Sequence, residues 1–178
     1  MKREINVFDY AGEILSGMKK GALVTSKANG KVNPMTISWG TLGIEWGQPI
    51  FTTFIRENRF TKSLIDESGE FTVSIPYGEY DKKILGICGT KSGHDVDKVE
   101  LLNLTLVEGD EVSVPAIKEI ALTLECKVVY VQEQDKHAIA KEFLPTFYPQ
   151  GVESQYHGAN KDFHTAYYGQ IVKAYIIE

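Results

Sequence analysis

The chain has 178 residues, 43% of them hydrophobic and 24% charged, the balance of an ordinary soluble globular protein. Its net charge of −5 comes without any basic run, which argues against a nucleic-acid surface. The length favours one domain over residues 1–178, and neither a Pro/Gly/Ser-rich linker nor an internal repeat divides it.

The two cysteines, Cys88 and Cys126, lie far apart and form no CxxC, so reduced thiols in a cytoplasmic protein are expected. Met1-Lys2-Arg3-Glu4 leads into a polar segment rather than a signal-type apolar run. No stretch approaches the ~18 uncharged apolar residues of a membrane span. The histidines form no H-E-x-x-H and no ligand set with cysteine, so no metal site is expected.

In chain order, residues 8–17 suit a short helix, and Gly21 to Lys27 reads as a strand. Asn29-Gly30 predicts a tight hairpin turn into a return strand from Lys31 to Trp39. Thr41 to Gln48 reads as a loop and Ile50 to Ile55 as a central strand. A helix is expected from Asn58 to Glu67, capped by Thr61 or Asn58 and stopped at Ser68-Gly69. Glu70 to Ile75 alternates as a strand up to Pro76, and Glu79 to Cys88 suits a helix. A glycine-bearing turn over Gly89 to His94 precedes a second short helix at Val96 to Leu102. Short strands are expected at Leu104–Val107 and Val112–Val114, and the longest strand at Ile120 to Gln132. A helix at Lys136 to Phe143, an aromatic-rich loop over 145–163 and a closing strand at Tyr167 to Ile177 complete the chain. Many strands with few, short helices predict a mainly β barrel or sandwich with peripheral helices, not a doubly wound sheet.

Three segments carry chemistry. In Met35-Thr36-Ile37-Ser38-Trp39-Gly40, strand alternation separates Met35, Ile37 and Trp39 from Thr36 and Ser38, leaving hydroxyls and backbone groups for the edge of a heterocycle. In Arg56-x-x-Arg59-x-Thr61, planar guanidinium forks, a hydroxyl and the free N–H groups of a helix start suit a phosphate. In Cys88-Gly89-Thr90-Lys91-Ser92-Gly93, two glycines let the backbone turn successive N–H groups inward, with Lys91 adding charge. That last segment is not a Walker A loop, because GxxxxGK[ST] is absent. Each pattern alone also fits a half-buried strand, solvated arginines or a plain turn.

Together the ordered motifs N-x-M-T-I-S-W-G, R-x-x-R-F-T and C-G-x-K-S-G-x-D-x-D-K resemble the flavin reductase-like, FMN-binding split-barrel family, in its flavoredoxin-like branch. The resemblance implies a six-stranded Greek-key split β-barrel, a homodimer and bound FMN. It implies that Met35, Thr36, Ile37, Ser38 and Trp39 line the flavin ring. Thr53, Arg56, Asn58, Arg59, Phe60 and Thr61 would surround the phosphate. Cys88, Gly89, Lys91, Ser92 and Gly93 would close the site, with Lys98 as a neighbour. His94 stands where many relatives carry arginine. The implied activity passes electrons from NAD(P)H or a carrier protein through FMN to a flavin, a metal complex or a protein. The flavin would carry that chemistry, so no catalytic side chain is expected. A non-enzymatic FMN carrier, or a split barrel for another ligand such as heme, are the alternatives. Within the aromatic segment 143–168, Tyr156-His157-Gly158 is the part expected to reach a cofactor.

Overall fold

The computed structural model describes all 178 residues. The elements are β1 (Lys2–Glu4), α1 (Ala11–Met18), β2 (Ala22–Ala28), β3 (Lys31–Ile37), β4 (Gly40–Glu45), β5 (Gln48–Arg56), α2 (Phe60–Ser68) and β6 (Glu70–Ile75). They continue as α3 (Lys82–Thr90), α4 (Lys98–Leu101), β7 (Leu106–Val107), β8 (Ala116–Ile117), β9 (Leu122–Glu133), α5 (Leu144–Phe147) and β10 (His164–Ile177).

One antiparallel sheet runs in the order β3-β2-β6-β9-β10-β5-β4, with β1 added along β10. Its two outermost strands, β3 and β4, are joined in the chain by only Ser38 and Trp39. The edges of the sheet must therefore meet, and the sheet closes into a barrel. Six long strands make the wall, β3-β2-β6-β9-β10-β5. No ladder joins β3 to β5, and the barrel is split there. The fold is thus the mainly β split barrel that the sequence led us to expect.

Alternation explains which side chains fill it. Met35 and Ile37 of β3 join Val24, Phe51, Ile55, Phe71, Val73, Leu124, Cys126 and Tyr167 in the interior. Thr36 faces out, and its hydroxyl donates to the Leu85 carbonyl of α3 at 2.7 Å. The β2–β3 turn uses Asn29 and Gly30, both at positive φ (50° and 73°), the geometry that continues the twist of paired strands. Gly69, at φ 66°, ends α2 as expected.

Several expectations need correction. Residues 40–45 form β4 rather than a loop, and Trp46 and Gly47 make a second tight turn into β5. Its exposed, glycine-interrupted sequence hides it, because pairing to β5 holds it in place rather than an apolar face. Neither Thr61 nor Asn58 caps α2. Arg59 occupies the cap position without a side-chain bond, Thr61 accepts from Asn33 Nδ2 at 2.8 Å, and Asn58 donates to Asp162 at 2.7 Å. Helix α3 starts at Lys82, not Glu79, because Asp81 accepts from the Lys83 N–H at 2.9 Å. It also runs on through Gly89 and Thr90. Val112–Val114 is not a strand, since the N–H groups of Asp110 to Val112 turn to the buried Glu125 carboxylate. Isolated turns replace the helix expected at 136–143, where most side chains are exposed and offer no face to bury. The longest strand is β10 with 14 residues, against 12 in β9. No helix is long and apolar enough to cross a membrane.

Candidate functional site

The split between β3 and β5 opens a crevice of about 260 Å³. One wall is Met35-Thr36-Ile37-Ser38-Trp39, and the other is Phe54, Arg56, Arg59 and His164. Strand pairing sets Arg56 opposite His164, so both side chains leave the same face of the sheet. His164 lies 4.8 Å, ring to ring, from Trp39. Its Nδ1 is 3.0 Å from the Tyr148 hydroxyl, and its backbone N–H donates to Gln134 Oε1 at 3.0 Å. Burial, and then the charges of Arg56 and Arg59, push the His164 imidazole down to a pKa of about 3. It is a neutral ring at physiological pH.

Beside this crevice, toward the start of β3, a narrow cleft gathers Asn33, Arg59, Thr61, Lys91, Ser92, Gly93 and Lys98. Lys98 is 2% exposed, and its ammonium has one weak partner, the Cys88 carbonyl at 3.5 Å. No carboxylate pairs with Lys98 or Arg59. Burial pulls both cations below their usual range, Lys98 to about 8. Arg59 repels Lys98 and Arg56 repels Arg59. Four backbone N–H groups nearby, of Phe60, Thr61, Ser92 and Gly93, donate to no acceptor in the chain. Two are the open start of α2, where the helix dipole adds positive potential. Thr61 Oγ accepts from Asn33 and keeps its own proton to donate. Buried cations without counter-charges are costly, and an anion in the cleft would balance them.

The expected site residues divide on this geometry. Met35 to Trp39 are together, as are Arg59, Thr61, Lys91, Ser92, Gly93 and Lys98, and Phe60 lines the same cleft. Arg56 lies at the crevice, yet its guanidinium donates to the carbonyls of Asp162 and Phe147 and lies 5.4 Å from the Tyr148 ring. It fastens the 147–162 segment to the barrel, as does Asn58 through Asp162. Thr53 lies apart from the cleft. It is fully buried on the interior side of β5 with Phe51 and Ile55, and its hydroxyl has no partner. The Cys88 thiol points into a second small core with Leu23, Leu85 and Ile117, and burial raises its pKa to about 11. Its carbonyl is the group that accepts from the Lys98 ammonium. Gly89 packs on Thr36, where a side chain would meet Cβ at 3.3 Å.

His164, Tyr148 and Gln134 were not among the expected site residues. They are scattered in sequence and meet only in the folded chain, where Gln134 and His164 lie at the end of the β9–β10 ladder and the Tyr148 hydroxyl bonds to both. The aromatic density of 143–168 was the one available signal. Phe147 and Tyr148 reach Trp39, at 5.3 and 6.5 Å between rings. His157 instead lies over the 91–97 loop, with Nε2 3.0 Å from Asp95 and its ring 5.5 Å from that of His94.

A split barrel whose open seam carries a crevice beside a cleft lined by Arg59 and Lys98 defines a class of β-barrel proteins. The chain belongs to the family of the flavin reductase like domain, which it matches over residues 18–178. It is 40% identical over 109 residues to an uncharacterized protein of Archaeoglobus fulgidus, a match covering 61% of this chain. That match spans 60% of the length of the Archaeoglobus protein. Among solved structures, the flavoredoxin of Methanosarcina acetivorans superposes with a TM-score of 0.65 at 26% identity, over 87% of this chain and 67% of that one. The FMN-binding domain of a flavin reductases-like enzyme from Shewanella baltica OS155 superposes with a TM-score of 0.67, over 99% and 78% of the chains. At 15% identity, that second likeness speaks for the fold alone.

Proposed function

We propose that this chain is an FMN-dependent oxidoreductase of the flavin reductase and flavoredoxin kind, acting as one domain in a homodimer. Family membership supports a flavin role, and the unbalanced pair Lys98 and Arg59 beside four free N–H groups is the observation that carries the choice of ligand. A flavin mononucleotide has a planar, hydrogen-bonding ring at one end and a dianionic phosphate at the other. The crevice suits the ring, and the cationic and N–H lining of the cleft, which encloses about 10 Å³ in this structure, suits the chemistry of the phosphate; both are lined by Met35 and Arg59.

Bound FMN would supply hydride and single-electron chemistry of its own. Arg59, Lys98 and Lys91 would hold the phosphate, with the N–H groups of Phe60, Thr61, Ser92 and Gly93. The Met35–Trp39 backbone would meet the ring edge, and Trp39 would wall off water. Neutral His164 would offer one ring nitrogen to the crevice without adding charge. The electrons would come from NAD(P)H or a carrier protein and leave to a flavin, a metal complex or a protein. Likeness to the Methanosarcina flavoredoxin supports the carrier-like end of that range.

The test is direct. Purified protein should absorb near ~450 nm, and stripped protein should take up FMN stoichiometrically. A colourless protein that ignores added FMN would end this reading. Steady-state NAD(P)H oxidation with excess free flavin then separates an enzyme from a carrier, which would turn over nicotinamide negligibly.

A further inference from the structure

One proton beside the crevice can be placed by elimination. The His164 backbone N–H lies 3.0 Å from Gln134 Oε1, and a backbone N–H can only donate. This contact fixes which end of the Gln134 amide faces His164, since the NH2 end would set donor against donor. The same Oε1 lies 3.0 Å from the Tyr148 hydroxyl, and of these two oxygens only the hydroxyl has a proton to give. Tyr148 therefore donates to Gln134. It turns a lone pair toward His164, so Nδ1, at 3.0 Å, must carry the imidazole proton. Any other arrangement sets two donors or two lone pairs face to face. Tyr148 and His164 are both buried, where such a mismatch is costly.

Burial beside Arg56 and Arg59 keeps the imidazole neutral, so a proton on Nδ1 leaves a bare lone pair on Nε2. Nε2 has no partner in the chain and is not sealed from solvent, and the open space beside the ring is the crevice. Of the other polar side chains there, Trp39, Arg56 and Arg59 only donate, while Thr36 and Ser38 can do both. Apart from the weak Met35 thioether, His164 is thus the one lining side chain that accepts without donating. We infer that Gln134 and Tyr148 are positioning residues, holding the His164 proton on Nδ1 so that Nε2 accepts from an N–H of the bound ring. An isoalloxazine carries such a group at N3 and gains another at N5 on two-electron reduction. A carbonyl or a bare ring nitrogen at that point would be repelled. That the ring is a flavin rests on the reading above; the place of the proton does not depend on it.

The imidazole nitrogen shifts of nitrogen-labelled protein distinguish the two tautomers by NMR. In the flavin-free chain at neutral pH, His164 should hold its proton on Nδ1, the reverse of the preference of a free histidine side chain. Gln134→Met frees the Tyr148 hydroxyl to donate to Nδ1 and should move the proton to Nε2. Tyr148→Phe keeps the ring that stacks on Phe163, removes only the hydroxyl and should also move the proton to Nε2. Gln134→Glu keeps an acceptor for both donors and should keep the proton on Nδ1. A merely structural role would not separate Gln134→Met from Gln134→Glu in this way. Adding FMN, or reducing the bound FMN with dithionite, should shift the Nε2 signal as it takes up an N–H. Gln134→Met should weaken binding of that same form of FMN about threefold to tenfold, the worth of one hydrogen bond. A wild-type proton on Nε2, or one that stays on Nδ1 in both Gln134→Met and Tyr148→Phe, overturns the positioning role. An Nε2 signal unmoved by either form of bound FMN means that the lone pair does not meet the ring, and the ligand assignment falls. If FMN does not bind at all while the variants move the proton as stated, the positioning role stands and the flavin reading falls.

Discussion

Lys98 and Arg59 face one narrow cleft with no carboxylate paired to either; burial lowers the proton affinity of both, and the charge of Arg59 lowers that of Lys98 further. An arrangement that destabilises the ligand-free protein is expected where an anion restores the balance. Replacing Lys98 with Met should leave the flavin-free protein as stable as before or more so in urea unfolding. FMN binding should weaken by ~1.5–3 kcal/mol, the scale of a hydrogen bond to a charged group. Arg59→Ala should weaken binding similarly. Unchanged FMN affinity in both variants would remove the cleft from the phosphate.

FMN binding should also take up a proton. The Lys98 pKa is pulled to about 8, from 10.5, by burial first and Arg59 second. Between those values the unfolded chain holds a proton that the folded, flavin-free chain has lost, so stability rises with pH across that window. A dianion in the cleft restores the charge, and affinity should therefore fall as pH rises through about 8. Calorimetry at pH 8.5 in buffers of different ionisation enthalpy, about half a unit above that midpoint, measures the uptake. A binding enthalpy independent of buffer would contradict it.

Much of this site was legible in the sequence because it is local. The Asn29-Gly30 turn fixes the β2–β3 register, which in turn fixes the parity of Met35 to Trp39. Gly93 likewise marks a place where the chain passes too close to Asn33 for a side chain, and Gly89 one where it packs tightly on Thr36. What the sequence hid is long-range. Strand parity sends Thr53 into the barrel, though chain proximity alone would place it near Arg56. Arg56 itself is claimed by carbonyls 91 and 106 positions away. Only the folded chain distinguishes Lys98, which lies in a polar, charged stretch and yet is buried. The strand β4 escaped notice for the converse reason, since its support is a neighbour rather than its own composition.

His164 should remain neutral across the physiological range. Burial and then the two arginines hold its pKa near 3. Two-dimensional NMR of the imidazole signals should show His164 neutral from pH 8 to 5. Between about 3 and 6.5 the unfolded chain binds a proton that the folded chain refuses, so this residue contributes to the loss of stability as pH falls through that window. A His164 titration midpoint above 6 would mean that the arginines and the burial do not act on it as argued.

Away from the cleft, Glu125 should be the costliest carboxylate to remove. It is fully buried, accepts from the N–H groups of Asp110, Glu111 and Val112 at 2.8, 2.7 and 3.2 Å, and lies 3.8 Å from the Lys2 ammonium. Glu125→Ala strands these donors and should cost about 2–4 kcal/mol. For a chain of this length that is a fall in Tm of roughly 5–15 °C by calorimetry. Glu125→Gln keeps one carbonyl acceptor and should lose less. Equal losses in the two variants would show that cavity formation, not stranded donors, sets the cost.

Gly93 lines the cleft, and its lack of a side chain is a steric requirement. A Cβ there would lie 2.3 Å from Asn33 Oδ1 and 2.5 Å from Phe60 Cδ1, inside any tolerable contact. Asn33 is held by Thr61 at the base of α2, so it has little room to yield. The loop must shift instead, carrying the free N–H groups of Ser92 and Gly93 away from the phosphate. Gly93→Ala should therefore lower FMN affinity by about 1–3 kcal/mol, the cost of losing donors to a charged oxygen. The fold should suffer less, because Ser92, Gly93 and His94 lie in a loop that contributes nothing to the apolar interior of the barrel. Measured together, FMN titration and thermal unfolding distinguish the two effects. A variant with normal affinity and a much lower Tm would place Gly93 in the scaffold rather than in the site.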